Sequence, residues 1–421
     1  MNPFQKVVYF IELPPQLTGI KARIIALVGK WFPTGSHKVG ATFGCLVPRL
    51  VTGQFDPTVD KAVWPSTGNY CRGGAYNAEL LSCDSIAILP EGMSKERFSW
   101  LSKVAGEVIG TPGSESNVKE IFDKSRELQK TRDNVVVFNQ FDEFGNHLFH
   151  YEVTGHAMEE VLNQVMQTKD RFKGIVLTSG SSGTLGCGDY LKQIYPQSKI
   201  AVGEALQCPT LLSNGFGAHR IEGIGDKHVP WIHHIKNTDM VIAIDDRDTM
   251  SVLRLLNEPK GKQFLLEEAG VPGHFIENIA LLGISSIANM IGAIKFARYY
   301  ELDQNDIILT IFTDSMELYQ SRIKEMRKIK PLYQYTDAAI AFHRHLRGLS
   351  TDAMEELNYL SKKRIHHLKY YTWVEQQGKS MEELNEQWFD DENYWGKIHQ
   401  QTEEIDCLIN QFNQQTGLLK T

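Results

Sequence analysis

Lys38 is the side chain in this sequence that most clearly needs a chemical explanation. It follows Pro33-Thr34-Gly35-Ser36-His37, a Gly-Ser turn, and leads into Val39-Gly40-Ala41-Thr42-Phe43, the apolar start of a helix. A charged lysine entering an apolar element is costly. The cost makes sense if its pKa is lowered and its amine is needed as a nucleophile, for example in a Schiff base. The plainer alternative is a surface lysine at a helix start.

A second stretch, Ser179-Gly180-Ser181-Ser182-Gly183-Thr184-Leu185-Gly186, follows an apolar run and opens a helical one. Glycines let the backbone approach a ligand, and free N–H groups at a helix N-terminus favour an anion. With the hydroxyls of Ser181, Ser182 and Thr184 this makes a phosphate cup. It is neither a Walker loop, since no lysine follows, nor a dinucleotide fingerprint. The same glycines also suit tight strand–helix packing. Thr67-Gly68-Asn69 is another polar strand-to-helix turn, and Asp314-Ser315 sits just beyond the apolar run Ile307–Phe312. Ligands of open α/β sheets lie at the carboxyl ends of strands, so these pieces are expected to converge on one crevice.

The elements that position them alternate. Strands are expected at Val7–Ile11, Ile24–Val28, Ala62–Trp64, Ser85–Leu89, Glu107–Thr111, Asn134–Gln140, Gly174–Thr178, Ile200–Gly203, Met240–Ile244 and Ile307–Phe312. Helices are expected at Gly74–Leu81, from Ser94, at Ser116–Lys130, near Glu152–Gln167 and at Gly283–Tyr299. This βαβα rhythm predicts mostly parallel sheets with helices on their faces. Past about residue 330 strand signals stop and helical stretches rich in Trp, His, Gln and Glu take over. Ser380-Met381-Glu382-Glu383 reads as a capping box, and Ile405, Leu408, Ile409 and Phe412 form an amphipathic stripe.

The chain has 421 residues, too many for one compact core, with 42% apolar and 23% charged residues. A net charge of −7 and no basic stripe argue against a nucleic-acid partner. No apolar run is long enough to span a membrane. Glu12 interrupts the first apolar run, so no signal peptide is read. Six scattered cysteines fit reduced thiols in a cytoplasm. His233-His234, His343/His345 and His366-His367 lack a Cys or carboxylate at ligand spacing, so no metal site is expected.

Taken together the motifs resemble the fold type II pyridoxal-phosphate enzymes, the tryptophan-synthase-β and cysteine-synthase superfamily. The resemblance spans roughly residues 30–325 and is closest to cysteine-synthase-like proteins. Pro33–Lys38 resembles the family's lysine motif, and Ser66-Thr67-Gly68-Asn69 its substrate and cofactor-ring loop. Pro90–Arg97 with Gly110-Thr111-Pro112-Gly113, and Asn139-Gln140-Phe141 with His150-Tyr151-Glu152-x-Thr154-Gly155, follow. His219–Gly225, Gly283-Ile284-Ser285-Ser286 and Asp314-Ser315-x-Glu317-x-Tyr319 complete the set in the family's order.

The resemblance implies an α/β fold of two three-layer αβα domains with mostly parallel sheets, plus a helical C-terminal extension. It implies a large domain from residues 1–41 and 149–330, a small mobile domain at 42–148 and the extension at 331–421. Pyridoxal 5'-phosphate is the implied cofactor. Lys38 would hold it covalently and act as base or acid at the substrate's α-carbon. Asn69 would bond the ring hydroxyl. Gly180, Ser181, Ser182, Gly183 and Thr184 would hold the phosphate. Gly223 would lie beside the cofactor, and Ser315 would face the pyridine nitrogen. Ser66, Thr67 and Gln140 would bind the substrate carboxylate. A serine, unlike an aspartate, leaves the ring a weaker electron sink, which favours prompt loss of a β-substituent.

The implied reaction is β-elimination or β-replacement on serine, an O-activated serine or cysteine, in a cytoplasmic homodimer. A serine/threonine dehydratase-like ammonia-lyase and a cofactor-binding, non-catalytic regulatory subunit stay open. Several departures bear on this. Val39-Gly40 replaces an Asp-Arg pair, Tyr70-Cys71 replaces a small Thr-Gly pair, and Ser181-Ser182 replaces glycines.

Overall fold

In this computed structural model, residues 8–113 and 117–417 are described. Val7 and Ser116, the expected first residues of two elements, lie outside them. Strands β1 (Phe10–Leu13) and β2 (Arg23–Val28) precede the lysine helix α1 (Lys38–Val51). Then come β3 (Lys61–Pro65), α2 (Asn69–Leu80), β4 (Ser85–Pro90), β5 (Glu107–Thr111), β6 (Val135–Val137) and α3 (Phe144–Phe149). β7 (Arg171–Thr178), α4 (Gly186–Ile194), β8 (Lys199–Ala205), β9 (Met240–Ile244), α5 (Ile284–Tyr299) and β10 (Asp306–Phe312) follow. The last stretch holds β11 (Met354–Glu356), α6 (Tyr359–Lys369), α7 (Met381–Phe389), α8 (Asp391–His399) and α9 (Gln401–Gln415).

Two sheets result. The larger runs β1-β2-β10-β7-β8-β9-β11 and the smaller β5-β4-β3-β6. Every pairing is parallel except β1 with β2 and β11 with β9, at the two edges of the larger sheet. Both faces of the larger sheet are covered. Ile24, Ala26 and Val28 face one buried cluster while Ile25 and Leu27 face the other. Such strands read as unbroken apolar runs, which is why they were legible in the sequence. α5 is apolar nearly all round and is buried over β7, β9 and β10.

The smaller sheet lies within residues 42–148, and we propose that this stretch is the smaller domain. α1 runs through the 41/42 boundary as one continuous helix. β6 is shorter than expected. Phe138 makes one more ladder bond to Val63 (2.9 Å), and the chain then turns so that Gln140 reaches the crevice.

The extension is not free of strands. β11 adds to β9, with Met354 opposite Ile242 and Glu356 opposite Met240. Glutamates carry little strand propensity; the open backbone edge of β9 decides the conformation. The capping reading holds in part, since Ser380 Oγ accepts from the Glu383 N–H at 2.9 Å. Extension aromatics pack on the body: Trp373 is buried and donates to the Val229 carbonyl at 2.8 Å. The α9 stripe is half-buried, with α9 running against α1.

Candidate active site

One crevice opens where the carboxyl ends of β3, β7 and β10 meet. Lys38, the first residue of α1, projects its amine there and donates to Ser181 Oγ at 2.8 Å. Burial pulls that amine down to about 8, with the Cys45 thiol and the Asp226 carboxylate acting in the opposite direction. His37 beside it is anchored through its N–H to the Thr313 carbonyl, 3.3 Å away, so the lysine turn is tied to the end of β10.

The cup after β7 turns sharply at Ser182, whose φ of 63° is left-handed. A glycine adopts that conformation more easily, and Ser182 holds it with its hydroxyl 2.8 Å from that of Ser179. Asn146 on α3 braces the cup from behind, donating to Ser181 Oγ at 3.0 Å and to the Gln140 carbonyl at 2.9 Å. Gly183 permits this approach, because a Cβ there would sit 2.2 Å from Asn146 Oδ1.

Across the crevice, Ser66, Thr67 and Asn69 follow β3. Asn69 Nδ2 donates to Asp314 Oδ2 at 2.6 Å, which leaves its Oδ1 buried and without a partner. Asp314 also accepts from Tyr319 Oη at 2.6 Å, and Tyr319 Oη in turn accepts from Arg97 at 3.0 Å. Arg97 pairs with Glu222, both fully buried, and Arg322 reaches the same carboxylate. This network joins the smaller sheet to the larger one beside the crevice.

Lys38, Ser66, Thr67, Asn69, Gln140, Gly180, Ser181, Ser182, Thr184 and Gly223 all line the crevice. Gly183 supports the cup from outside that lining. Ser315 does not line it either. It is buried as the cap of the short turn Met316–Leu318, while Ser285, at the start of α5, faces the cavity. The signal for Ser285 lay in Gly283-Ile284-Ser285-Ser286, a helix N-terminus whose glycine packs closely against Asp314 and whose first serine lines the cavity. Asp226 was missed altogether. It follows Gly225, lines the crevice, and has an unpartnered buried Oδ2; burial raises its carboxyl to about 7, against the opposing charge of Lys38.

These groups fit pyridoxal phosphate: a buried amine with a lowered pKa, a hydroxyl-rich cup at a helix start, and an orphaned amide oxygen on the opposite wall. The family of pyridoxal-phosphate dependent enzymes matches residues 30–271. The chain belongs to that family. Among curated relatives of this pyridoxal-phosphate enzyme, a probable cysteine synthase of Bacillus subtilis is 28% identical over 290 residues, covering 69% of this chain and 85% of the relative. The cystathionine beta-synthase of Saccharomyces cerevisiae is 25% identical over 336 residues, 78% of this chain but only 62% of that protein's length. Two solved structures share the fold. The O-acetylserine dependent cystathionine beta-synthase of Helicobacter pylori superposes with a TM-score of 0.62 at 23% identity, over 75% of this chain and 94% of that one. O-acetylserine sulfhydrylase isoform 3 of Entamoeba histolytica gives 0.64 at 20% identity, over 82% and 98%. No helix among the described residues is long and apolar enough to cross a membrane.

Proposed function

We propose that this enzyme carries out β-elimination or β-replacement on a small amino acid: serine, an O-activated serine or cysteine. The observation that carries the reading is the Lys38 amine, held on the cup at Ser181 and facing the polar loop Ser66–Asn69 within one crevice. When bound, pyridoxal phosphate supplies the electron sink that acidifies the substrate's α-carbon and lets a β-substituent leave. In this reading the cup from Gly180 to Thr184 holds the phosphate. Asn69 Oδ1, buried without a partner, would accept from the ring hydroxyl, and Gly223 would lie beside the ring. We assign Ser285, in place of Ser315, to the ring-nitrogen end.

Ser66, Thr67 and Gln140 hold the substrate carboxylate and fix the α-hydrogen toward Lys38. The lysine amine, lowered toward neutrality, takes that proton and later returns it. An uncharged serine at that end would leave the bound cofactor a weaker electron sink than an aspartate would, which suits loss of a β-substituent. Tyr70, fully buried and packed edge-on against Trp64 at 5.6 Å, walls the crevice and limits substrate size.

We further propose a cytoplasmic homodimer. Tyr9, Trp31 and Val153 stand exposed around one apolar groove floored by Leu27, Val28 and Ile311, the kind of patch that marks an interface. All six cysteines are free thiols. Sedimentation of the purified chain checks the dimer.

The test is the visible spectrum of the purified protein before and after O-acetylserine, serine, cysteine and threonine, added separately. A yellow protein whose spectrum shifts with one of them supports the reading. Pyruvate release without an added nucleophile identifies elimination; dependence on sulfide or another nucleophile identifies replacement. A protein that stays colourless in excess pyridoxal phosphate overturns it.

A further inference from the structure

Behind the phosphate cup, outside the crevice, three side chains from distant parts of the chain meet at one point. His147 comes from α3, Asp189 from α4 and His399 from the last turn of α8, in the extension. Each offers one ligand atom, and these atoms lie within 4.8 Å of one another. His147 Nε2 is 3.0 Å from His399 Nε2 and 3.6 Å from Asp189 Oδ2. Ligands about 2.0–2.1 Å from a tetrahedral centre stand roughly 3.3 Å apart, so two of the three spacings bracket that of a metal site.

The surroundings are those of a held ligand set. His234 Nδ1 lies 2.9 Å from Asp189 Oδ2, and Asn237 Nδ2 donates to Oδ1 at 2.5 Å, so both oxygens of the carboxylate are oriented. Tyr151 stacks on the His399 ring at 3.8 Å with 11° between planes, and Trp395 stacks on His234 at 4.5 Å and 18°. His147 and Asp189 are both buried. The side of the cluster away from the core opens on a surface cavity that Lys192, Gln193, Lys236 and Glu392 help to line, leaving room for a fourth ligand.

The His147 and His399 rings lie within 12° of one plane, with centroids 5.2 Å apart, so their Nε2 atoms face each other. Without an ion, one ring in its Nε2–H tautomer donates to the lone pair of the other. A divalent cation takes both Nε2 lone pairs once the donating ring carries its proton on Nδ1 and the rings turn toward the ion, and it also offsets the charge of the buried Asp189 carboxylate.

The geometry points to a zinc-class divalent metal site formed by His147, Asp189 and His399, which staples the C-terminal extension to the wall of the cofactor crevice. Two imidazoles and one carboxylate are a borderline donor set suited to zinc. The staple has a direct line to the crevice, since Asn146, the neighbour of His147, braces Ser181.

The experiment uses the full chain with its cofactor bound, purified without a polyhistidine tag. It is dialysed against a chelator and then titrated with zinc chloride alone. Mass-spectrometric metal analysis is expected to find one zinc per chain, and the thermal midpoint to rise by about 5 °C. Cobalt(II) in place of zinc is expected to give the intense visible bands of a four-coordinate site. His399→Ala and Asp189→Asn are expected to lose the bound metal and the thermal shift while keeping the cofactor's yellow colour. Two results overturn the site: a wild-type chain that holds no stoichiometric zinc, or a His399→Ala chain that holds as much as wild type. In either case the two rings form only a hydrogen-bonded clamp.

Discussion

The Lys38 amine and the Ser181 hydroxyl are 2.8 Å apart although 143 residues separate them, and Asn146 meets the same hydroxyl at 3.0 Å. One serine oxygen thus joins the lysine helix, the phosphate cup and α3. Ser181→Ala removes both contacts and one hydroxyl of the cup. A hydrogen bond to a charged group is worth about 1.5–3 kcal/mol, so cofactor affinity is expected to fall by roughly ten-fold or more. Titration of the apoprotein with pyridoxal phosphate, followed by absorbance, reads this. Lys38→Ala is expected to abolish turnover, and full turnover in that variant would sink the assigned role.

The pH dependence of cofactor capture tests the electrostatics. Burial lowers the Lys38 amine to about 8 from the ordinary lysine range. Capture needs the free amine, so its rate in the apoprotein should rise about ten-fold from pH 7 to pH 9 and then level off. An unperturbed lysine would keep rising to about pH 10.4. Asp226 favours the charged amine, so Asp226→Asn should move the inflection below that of the wild type. A wild-type rate still climbing at pH 10 contradicts the lowered pKa.

Glu222 is the carboxylate between Arg97 and Arg322. Glu222→Gln leaves a fully buried guanidinium without its anionic partner. Breaking a buried pair from one side costs about 3–5 kcal/mol. The urea midpoint should fall accordingly, and raised salt should not rescue it, because the pair is shielded from solvent. A loss below about 1 kcal/mol would mean that water reaches the pair.

α1 and α3 cross backbone to backbone at Gly44 and Gly145. A Cβ on Gly145 would sit 2.1 Å from the Gly44 carbonyl oxygen and 2.9 Å from Cys45 Cα. Gly145→Ala must push the helices apart, at about 1–3 kcal/mol. Lys38 rides on one helix and Asn146 on the other, so cofactor affinity should drop together with the thermal midpoint. A stability loss with unchanged affinity would show that the crossing does not set the cup.

The sequence alone determined the alternating architecture, because strands buried on both faces are continuous apolar runs and turn glycines mark where the chain reverses. It also singled out Lys38, Asn69 and the cup, each carried by consecutive residues at a helix start, and the structure brings them to one crevice. Only the tertiary structure decided what depends on long separations. Ser285 lines the crevice because α5 starts there, while Ser315 is buried at the cap of the turn Met316–Leu318. Asp226 belongs to the site because its loop folds back beneath Gly180, where a Cβ would stand 3.5 Å from Asp226 Oδ2. β11 exists because the edge of β9 supplies the hydrogen bonds that its own residues do not call for. His147, Asp189 and His399 show the same thing most plainly: no spacing along a chain reveals three side chains that only the docking of the extension brings to one point.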